Sequence, residues 1–220
     1  MIRFSSDVLN NFIASDLSTL LAPILPDVPD VENQSIVFTM NYVLGSLKFK
    51  GTSVAQAVMS AMQHNTTAVH AYRSARSSIQ EYIADLPNHD KLFAVVQALA
   101  DFENCILHSH ITAQCLNEFQ RAMTGKGFLM LSDEVSEYAR LRKLSNRIKH
   151  FDQDIAKSIR NGLNAPARAI WLTDEAVVCT KGSLLYAELA DVLSVHSTFV
   201  QQLASDFFKD PSRPPAITVT

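Results

Sequence analysis

Residues 89–124 read HDKLFAVVQALADFENCILHSHITAQCLNEFQRAMT, and this stretch decides the fold of the chain. It contains neither glycine nor proline, the two residues that most strongly disfavour the interior of a helix. Its apolar residues recur at steps of three and four, which is the spacing of one helix face. The pattern predicts a helix over about 89–122 with a buried face made of Leu92, Val95, Val96, Leu99, Phe102, Ile106, Leu116 and Phe119.

Three further stretches lack glycine and proline, over 53–86, 132–161 and 183–210. Each predicts a long helix, the last one over about 184–208. We place the N-terminal cap of the third helix at Ser132 because its hydroxyl can accept a free backbone N–H. The apolar residues of this helix advance by alternating steps of three and four, which predicts lengthwise packing against a neighbour. This seam consists of Leu141, Leu144, Ile148, Phe151 and Ile155.

Shorter elements surround the four long helices. The sequence predicts N-terminal helices over 7–21 and 35–47. The stretches Ala167–Leu172 and Ala176–Cys179 are apolar and separated by a polar turn, which predicts a small β-hairpin. The fold class is therefore all-α in the main, an elongated antiparallel helical bundle with four long helices, one or two N-terminal helices and a hairpin near 167–179.

The domain organisation follows from these elements. We expect a single helical-bundle domain over 1–208, with 1–52 as an N-terminal helical appendage and 209–220 as a flexible, proline-rich tail. Apolar residues near the end of the last helix, such as Phe207 and Phe208, are candidates for contact with a second copy of the chain.

Composition and charge exclude several classes of protein. The 220 residues are 47% hydrophobic, so the chain is not intrinsically disordered. With 19 Lys and Arg against 22 Asp and Glu it is not a generally basic nucleic-acid coat. We expect no secretory signal, because the N-terminus reaches Asp7 before a long apolar run can form. No apolar stretch has membrane-spanning length, and three widely spaced cysteines form no CxxC pair. We expect a cytoplasmic protein that needs no cofactor or metal and does not bind a membrane.

One face of the second helix carries groups that could ligate a metal. Asp101, Cys105, His108 and Thr112 recur at steps of four and three, whereas His110 points about 200° away from His108. A metal could use this face only with ligands from a neighbouring helix. The alternative is an ordinary helix contact made by small, half-buried residues.

The third helix concentrates positive charge. Five of the 19 basic residues fall within ten positions, and an acidic protein with such a cluster has a local surface that attracts anions. Asn146 and His150 lie one and two turns after Arg142, so an imidazole, an amide and a guanidinium are neighbours on one stripe. These groups suit phosphodiester chemistry, in which a histidine moves the proton and an arginine stabilises charge. The five basic residues are Arg140, Arg142, Lys143, Arg147 and Lys149.

The stretch Asn146-Arg147-Ile148-Lys149-His150-Phe151 resembles the signature helix of HEPN domains, bacterial and archaeal helical bundles of toxin–antitoxin and defence systems. Family members with RNase activity often carry Arg-Asn-x-x-x-His followed by an aromatic residue. Asn146, His150 and Phe151 match that pattern, while Ser145 stands where the arginine is usual. The resemblance implies a bundle that forms a homodimer and cuts RNA without a metal.

Two hypotheses follow. In the first, the chain is a metal-independent endoribonuclease with His150 as the acid/base, Arg142 or Arg147 as the stabilising cation and Asn146 as the orienting group. In the second, it is a non-catalytic, homodimeric interaction module whose basic face binds a nucleic acid or a protein such as an antitoxin or adaptor. Where RNA is the partner, we expect Arg140, Lys143 and Lys149 to bind it.

Overall fold

The computed structural model describes residues 20–31, 36, 40, 52–85, 91–127, 135–162 and 168–209. In this part of the chain, five helices and three strands follow one another. They are α1 (Thr52–Ala84), α2 (Leu92–Thr124), α3 (Glu137–Lys149), α4 (Phe151–Arg160), β1 (Trp171–Leu172), β2 (Ala176–Cys179), β3 (Gly182–Leu185) and α5 (Tyr186–Lys209).

Helices α1 and α2 form an antiparallel pair and pack against each other along most of their lengths. Each has 33 residues and is about 50 Å long. Polar contacts fix their register at two levels, where the Ser74 hydroxyl donates to Asp101 at 2.7 Å and Lys91 pairs with Glu81. Both helices lie where the sequence predicts them, and α2 ends at Gly125, which adopts a left-handed conformation.

The centre of the core is a cluster of three aromatic rings. Phe102 of α2 is fully buried, with its ring centroid 6.0 Å from that of Tyr72 and 5.5 Å from that of Tyr186. The hydroxyl of Tyr72 donates to the Pro26 carbonyl at 3.0 Å, and that of Tyr186 donates to the Thr173 carbonyl at 2.9 Å. The cluster therefore joins α1, α2 and α5 to the loops on either side of them.

Contacts along the helices establish an up-down-up-down arrangement. Tyr186 lies against Phe102 and Phe199 against Phe119, so α5 runs parallel to α2. Helix α3 runs the other way, since its Tyr138 lies against His196 in the later part of α5, whereas Arg140, further along α3, pairs with Glu188 near the start of α5. The prediction of a mainly helical antiparallel bundle is confirmed.

The third long helix differs from the prediction. A single helix was expected over 132–161, whereas the described chain has two helices that meet at His150. The backbone of His150 has φ −110° and ψ 18°, outside the helical region, although its N–H still bonds to the Asn146 carbonyl at 3.1 Å. The side chain of Ser136, and not Ser132, caps α3, and residue 132 lies outside the described residues.

The predicted hairpin is confirmed and extends into a three-stranded antiparallel sheet. Trp171 pairs with Val178 in the expected hairpin, and Val177 pairs with Leu184 of the additional strand β3. The sequence prediction placed residues 184 and 185 in the last helix, but α5 begins only at Tyr186. Two adjacent apolar residues fit the start of a helix as well as the end of a strand. A run that short is compatible with both the 3.6-residue period of a helix and the two-residue period of a strand.

Several sequence predictions fall outside the described residues. These are nearly all of the helices expected over 7–21 and 35–47, and the tail beyond Lys209. The side chains of Phe207 and Phe208 lie outside them as well. Of the expected N-terminal appendage, the stretch 20–31 is described, and its Leu20 and Val31 are buried in the main core. No helix in the described ranges is long and apolar enough to cross a membrane.

Two phenylalanines of α2 provide a matched test of this core. Phe102 is fully buried, whereas Phe93 is 76% exposed. We expect Phe102→Ala to lower the free energy of unfolding by about 3–5 kcal/mol, because it removes a ring and leaves a cavity. Phe93→Ala should change it by less than about 0.5 kcal/mol. Urea denaturation followed by circular dichroism measures both, and similar losses in the two variants would contradict the described core.

Candidate nucleic-acid interface

Helix α3 carries most of the candidate site, and its ends suit its charges. Ser136 accepts the backbone N–H of Ala139 through its side chain at 3.3 Å, which satisfies one free donor of the first turn. Glu137 lies in the first turn, whereas Arg147 and Lys149 lie in the last. Acidic groups at the start and basic groups at the end of a helix interact favourably with its dipole.

The faces of α3 are sharply divided. Leu141 and Leu144 are fully buried in the main core, as the predicted seam requires. Ser145 is also fully buried, and its hydroxyl makes no hydrogen bond with the described residues. Position 145, where the resemblance noted in the sequence predicts an arginine, therefore faces the interior of this bundle.

Arg147 holds the bend between α3 and α4. Its side chain is only 6% exposed, and the guanidinium forms an ion pair with Asp154 on the far side of the bend. The guanidinium carbon also lies 5.5 Å from the centroid of the Phe151 ring, within the range of a cation–π contact. Arg147, proposed from the sequence as a stabilising cation, is thus occupied by contacts inside the protein.

Arg140 is occupied in a similar way. Its guanidinium forms two hydrogen bonds with the carboxylate of Glu188, one of them from Nε at 3.2 Å, and a third with the Val135 carbonyl. The Glu188 carboxylate also accepts the backbone N–H of Leu185 at 3.1 Å. Arg140 thus joins α3 to the start of α5. Because Glu188 neutralises its charge, Arg140 contributes little to an anion-binding surface.

Arg142 and Lys149 lie near His110 of α2, a residue that the sequence analysis did not assign to this site. Arg142 and His110 line a cavity of about 440 Å³ between α2 and α3. Burial, and to a smaller extent the charges of Lys149 and Arg142, lower the pKa of His110 to about 4. His110 is therefore neutral at pH 7, with two cations nearby. The other lining residues are Gln114, Asn117, Glu118 and Tyr138.

Lys143 is the next residue along α3 and points about 100° away from Arg142. It is exposed and lines a cavity of about 370 Å³ together with Lys181, Gly182 and Ser183 of the β2–β3 turn. The sheet thus places a second lysine beside this helix. The sequence analysis did not identify Lys181 as part of a site, since only the tertiary fold brings the turn to α3.

Asn146 and His150 are both exposed, one turn apart. The stripe that they share with Tyr138 and Arg142 passes from buried to exposed along the helix. This drift follows from geometry, because each step of four residues advances about 40° beyond one full turn. Within the described ranges, neither His150 nor Asn146 forms a side-chain hydrogen bond or ion pair, and no described guanidinium contacts His150.

The structure therefore separates the seven predicted site residues into two groups. Arg140 and Arg147 form internal ion pairs, whereas five residues share one side of α3. With 100° per residue these five fall within about 120° of the helix circumference. We call this surface the cationic face; it consists of Arg142, Lys143, Asn146, Lys149 and His150.

His110 is the residue that sequence reasoning missed. One signal was present, since Arg142 and Lys149 are seven residues apart and so point in nearly the same direction. Which residue of α2 they approach depends on the register of two packed helices, and periodicity within one helix does not determine that register.

Comparisons with protein-family models, curated proteins and solved structures find no match to this chain. The functional argument consequently depends on the geometry described above.

The ion pair at the bend can be tested with two aspartates of the same helical turn. Asp154→Asn leaves the buried Arg147 without its counter-ion, and because Asp154 is 36% exposed we expect a loss of about 1–3 kcal/mol. Asp152→Asn removes an equally placed charge from an exposed site and should cost less than about 0.5 kcal/mol. Chemical denaturation of both variants measures the difference; equal effects would show that the pair does not hold the bend.

Proposed function

We propose that this protein binds RNA through the cationic face of α3. The observation that carries the proposal is that two exposed lysines, Lys143 and Lys149, lie on one side of α3, with the half-buried Arg142 beside them. Cations within two turns of one helix can contact more than one phosphate of a flexible single strand.

The neighbours of these cations support the same proposal. Asn146 and His150 add exposed hydrogen-bonding groups to the face, and an imidazole ring can also stack on an unpaired base. Lys181 lies beside Lys143 at the edge of the face, so the cationic surface continues onto the sheet. The whole chain is acidic, with a formal net charge of −3, which makes this local surface the place where a polyanion is attracted.

Binding is favoured over cleavage by the position of the arginines. A cleaving site needs a cation close to the reacting phosphate. Arg147 is committed to Asp154, and position 145 faces the core with a serine. The proposal therefore follows the second of the two sequence hypotheses, an interaction module that binds a nucleic acid.

A second candidate function is RNA cleavage of the HEPN type. One observation favours it: His150 is exposed one turn from an exposed Asn146, so both side chains can reach a bound phosphodiester. In a homodimer, a second copy of the chain would bring another set of these groups to the same RNA. The HEPN relationship and the homodimer belong to this candidate function.

RNA binding can be measured with fluorescently labelled, single-stranded RNA of mixed sequence. We expect the double variant Lys143→Ala/Lys149→Ala to weaken binding several-fold, because two phosphate contacts are lost. The slope of log affinity against log salt concentration should fall in magnitude by about 1.4, since each phosphate contact on a single strand contributes about 0.7. Fluorescence anisotropy at several salt concentrations gives both quantities.

The matched control removes two exposed lysines, one just after α2 and one on α4. Lys126→Ala/Lys157→Ala takes away the same charge from outside the cationic face. It should leave the affinity within about twofold and lower the slope much less. Equal weakening in the two double variants, or no measurable binding by the wild type, would contradict the proposal.

The cleavage hypothesis has its own test. Wild-type protein, His150→Ala and His70→Ala are incubated with the same RNA in EDTA, and the products are separated on a denaturing gel. His70 is exposed and lies on α1, away from α3, so it serves as the control histidine. Cleavage that disappears only in His150→Ala supports the second candidate; intact RNA in all three samples, or cleavage in all three, refutes it.

A further inference from the structure

His64 of α1 and His108 of α2 meet where the two helices pack. Their Nδ1 atoms are 2.7 Å apart and their ring centroids 4.9 Å apart. Both side chains are half-buried, so the pair is held by the helices and is still reached by solvent. His108 lies on the face of α2 that the sequence singled out as able to ligate a metal with help from a neighbouring helix, and His64 comes from such a helix.

Two nitrogens at this distance need something between them. Two neutral imidazoles can share one proton, with one Nδ1 as donor and the other as acceptor. They can equally share a metal ion, because a neutral imidazole nitrogen is the most common protein ligand of zinc and related ions. Burial lowers the pKa of both rings, which keeps them in the neutral form that binds metals at pH 7.

We propose that His64 and His108 form a two-histidine site for a divalent transition-metal ion such as Zn²⁺. Zinc binds histidine nitrogen at about 2.0–2.1 Å, so two ligands of a tetrahedral ion are about 3.3 Å apart. The two Nδ1 atoms reach that separation by moving about half an ångström, within the range of small side-chain rotations. The imidazole that donated the shared hydrogen bond changes tautomer, and its proton moves from Nδ1 to Nε2.

The site supplies two protein ligands. Among the described residues there is no group of three or more His, Cys, Asp and Glu side chains that could hold a metal. Water completes the coordination from the solvent-facing side of the pair. Such an ion exchanges readily and keeps open positions, unlike the closed four-ligand sites that hold structural zinc. The nearby Cys105 is fully buried and its thiol pKa is raised to about 12, so it is not a thiolate ligand.

Titration of the full-length chain with zinc chloride in a calorimeter tests the site. We expect one ion per chain, with affinity at least tenfold weaker in either His64→Ala or His108→Ala. His70→Ala removes an exposed histidine of the same helix as His64 and should change the affinity by less than about twofold. Zinc binding that is unchanged in both pair variants, or absent from the wild type, would overturn the proposal.

A second measurement does not depend on how the variants fold. In the wild-type chain labelled with ¹⁵N in its histidines, zinc should shift the ring nitrogens of His64 and His108 and leave those of His70 in place. EDTA should reverse these shifts. If zinc moves neither of the paired rings, the proton is their only shared partner and the metal site is refuted. The outcome is independent of RNA binding, because α3 contributes no ligand.

Discussion

The packing of α1 against α2 is the interaction on which the other elements depend. Helices gain most of their stability in water from tertiary packing, so each of these two needs the other to bury its apolar face. Their paired surfaces place Tyr72 and Phe102 side by side, and Tyr186 at the start of α5 completes that cluster. Once the pair is aligned, α5 and α3 have a continuous apolar surface to cover. The positions of the candidate site residues on α3 therefore depend on the packing of α1 against α2, although none of these residues takes part in that packing.

The bend at His150 decides which basic residues face the solvent. Helix α4 has no fully buried residue, so packing alone does not fix its direction. Phe151 anchors its beginning against the main core, and Arg147 reaches across the bend to Asp154. In a straight helix the predicted apolar seam would continue as far as Ile155, but the contact of Phe151 with the core and the ion pair of Arg147 with Asp154 would be lost. Arg147, the arginine nearest to His150 in sequence, thus stabilises the bend, and the exposed residues of this side include Lys143, Lys149 and His150.

Much of the fold could be predicted from the sequence because its signals are local. The long helices follow from apolar periodicity and from the absence of glycine and proline, and the hairpin at 171–179 follows from two apolar stretches around a polar turn. The boundaries of the helices and strands were harder to predict. Leu185 is compatible with a strand or a helix, and a histidine at position 150 is compatible with a continuous helix. The candidate site was predicted only in part. The exposure of Lys143, Asn146 and His150 follows from helix geometry. The internal partners of Arg140 and Arg147 could not be predicted, because they lie on another helix or beyond a bend.

The sign of the total charge does not decide whether an acidic protein can bind RNA. At physiological ionic strength the Debye length is about 8 Å, which is shorter than the distance between opposite sides of this bundle. A phosphate near Lys149 therefore experiences the cations of α3 and the adjacent Lys181 much more strongly than the carboxylates of distant helices. Lowering the salt concentration lengthens this range and admits repulsion from the whole molecule, which carries a net charge of −3. In the proposed complex, this acidic chain would attract RNA at the cationic face and repel it elsewhere, and this difference would orient the polymer before any base is contacted.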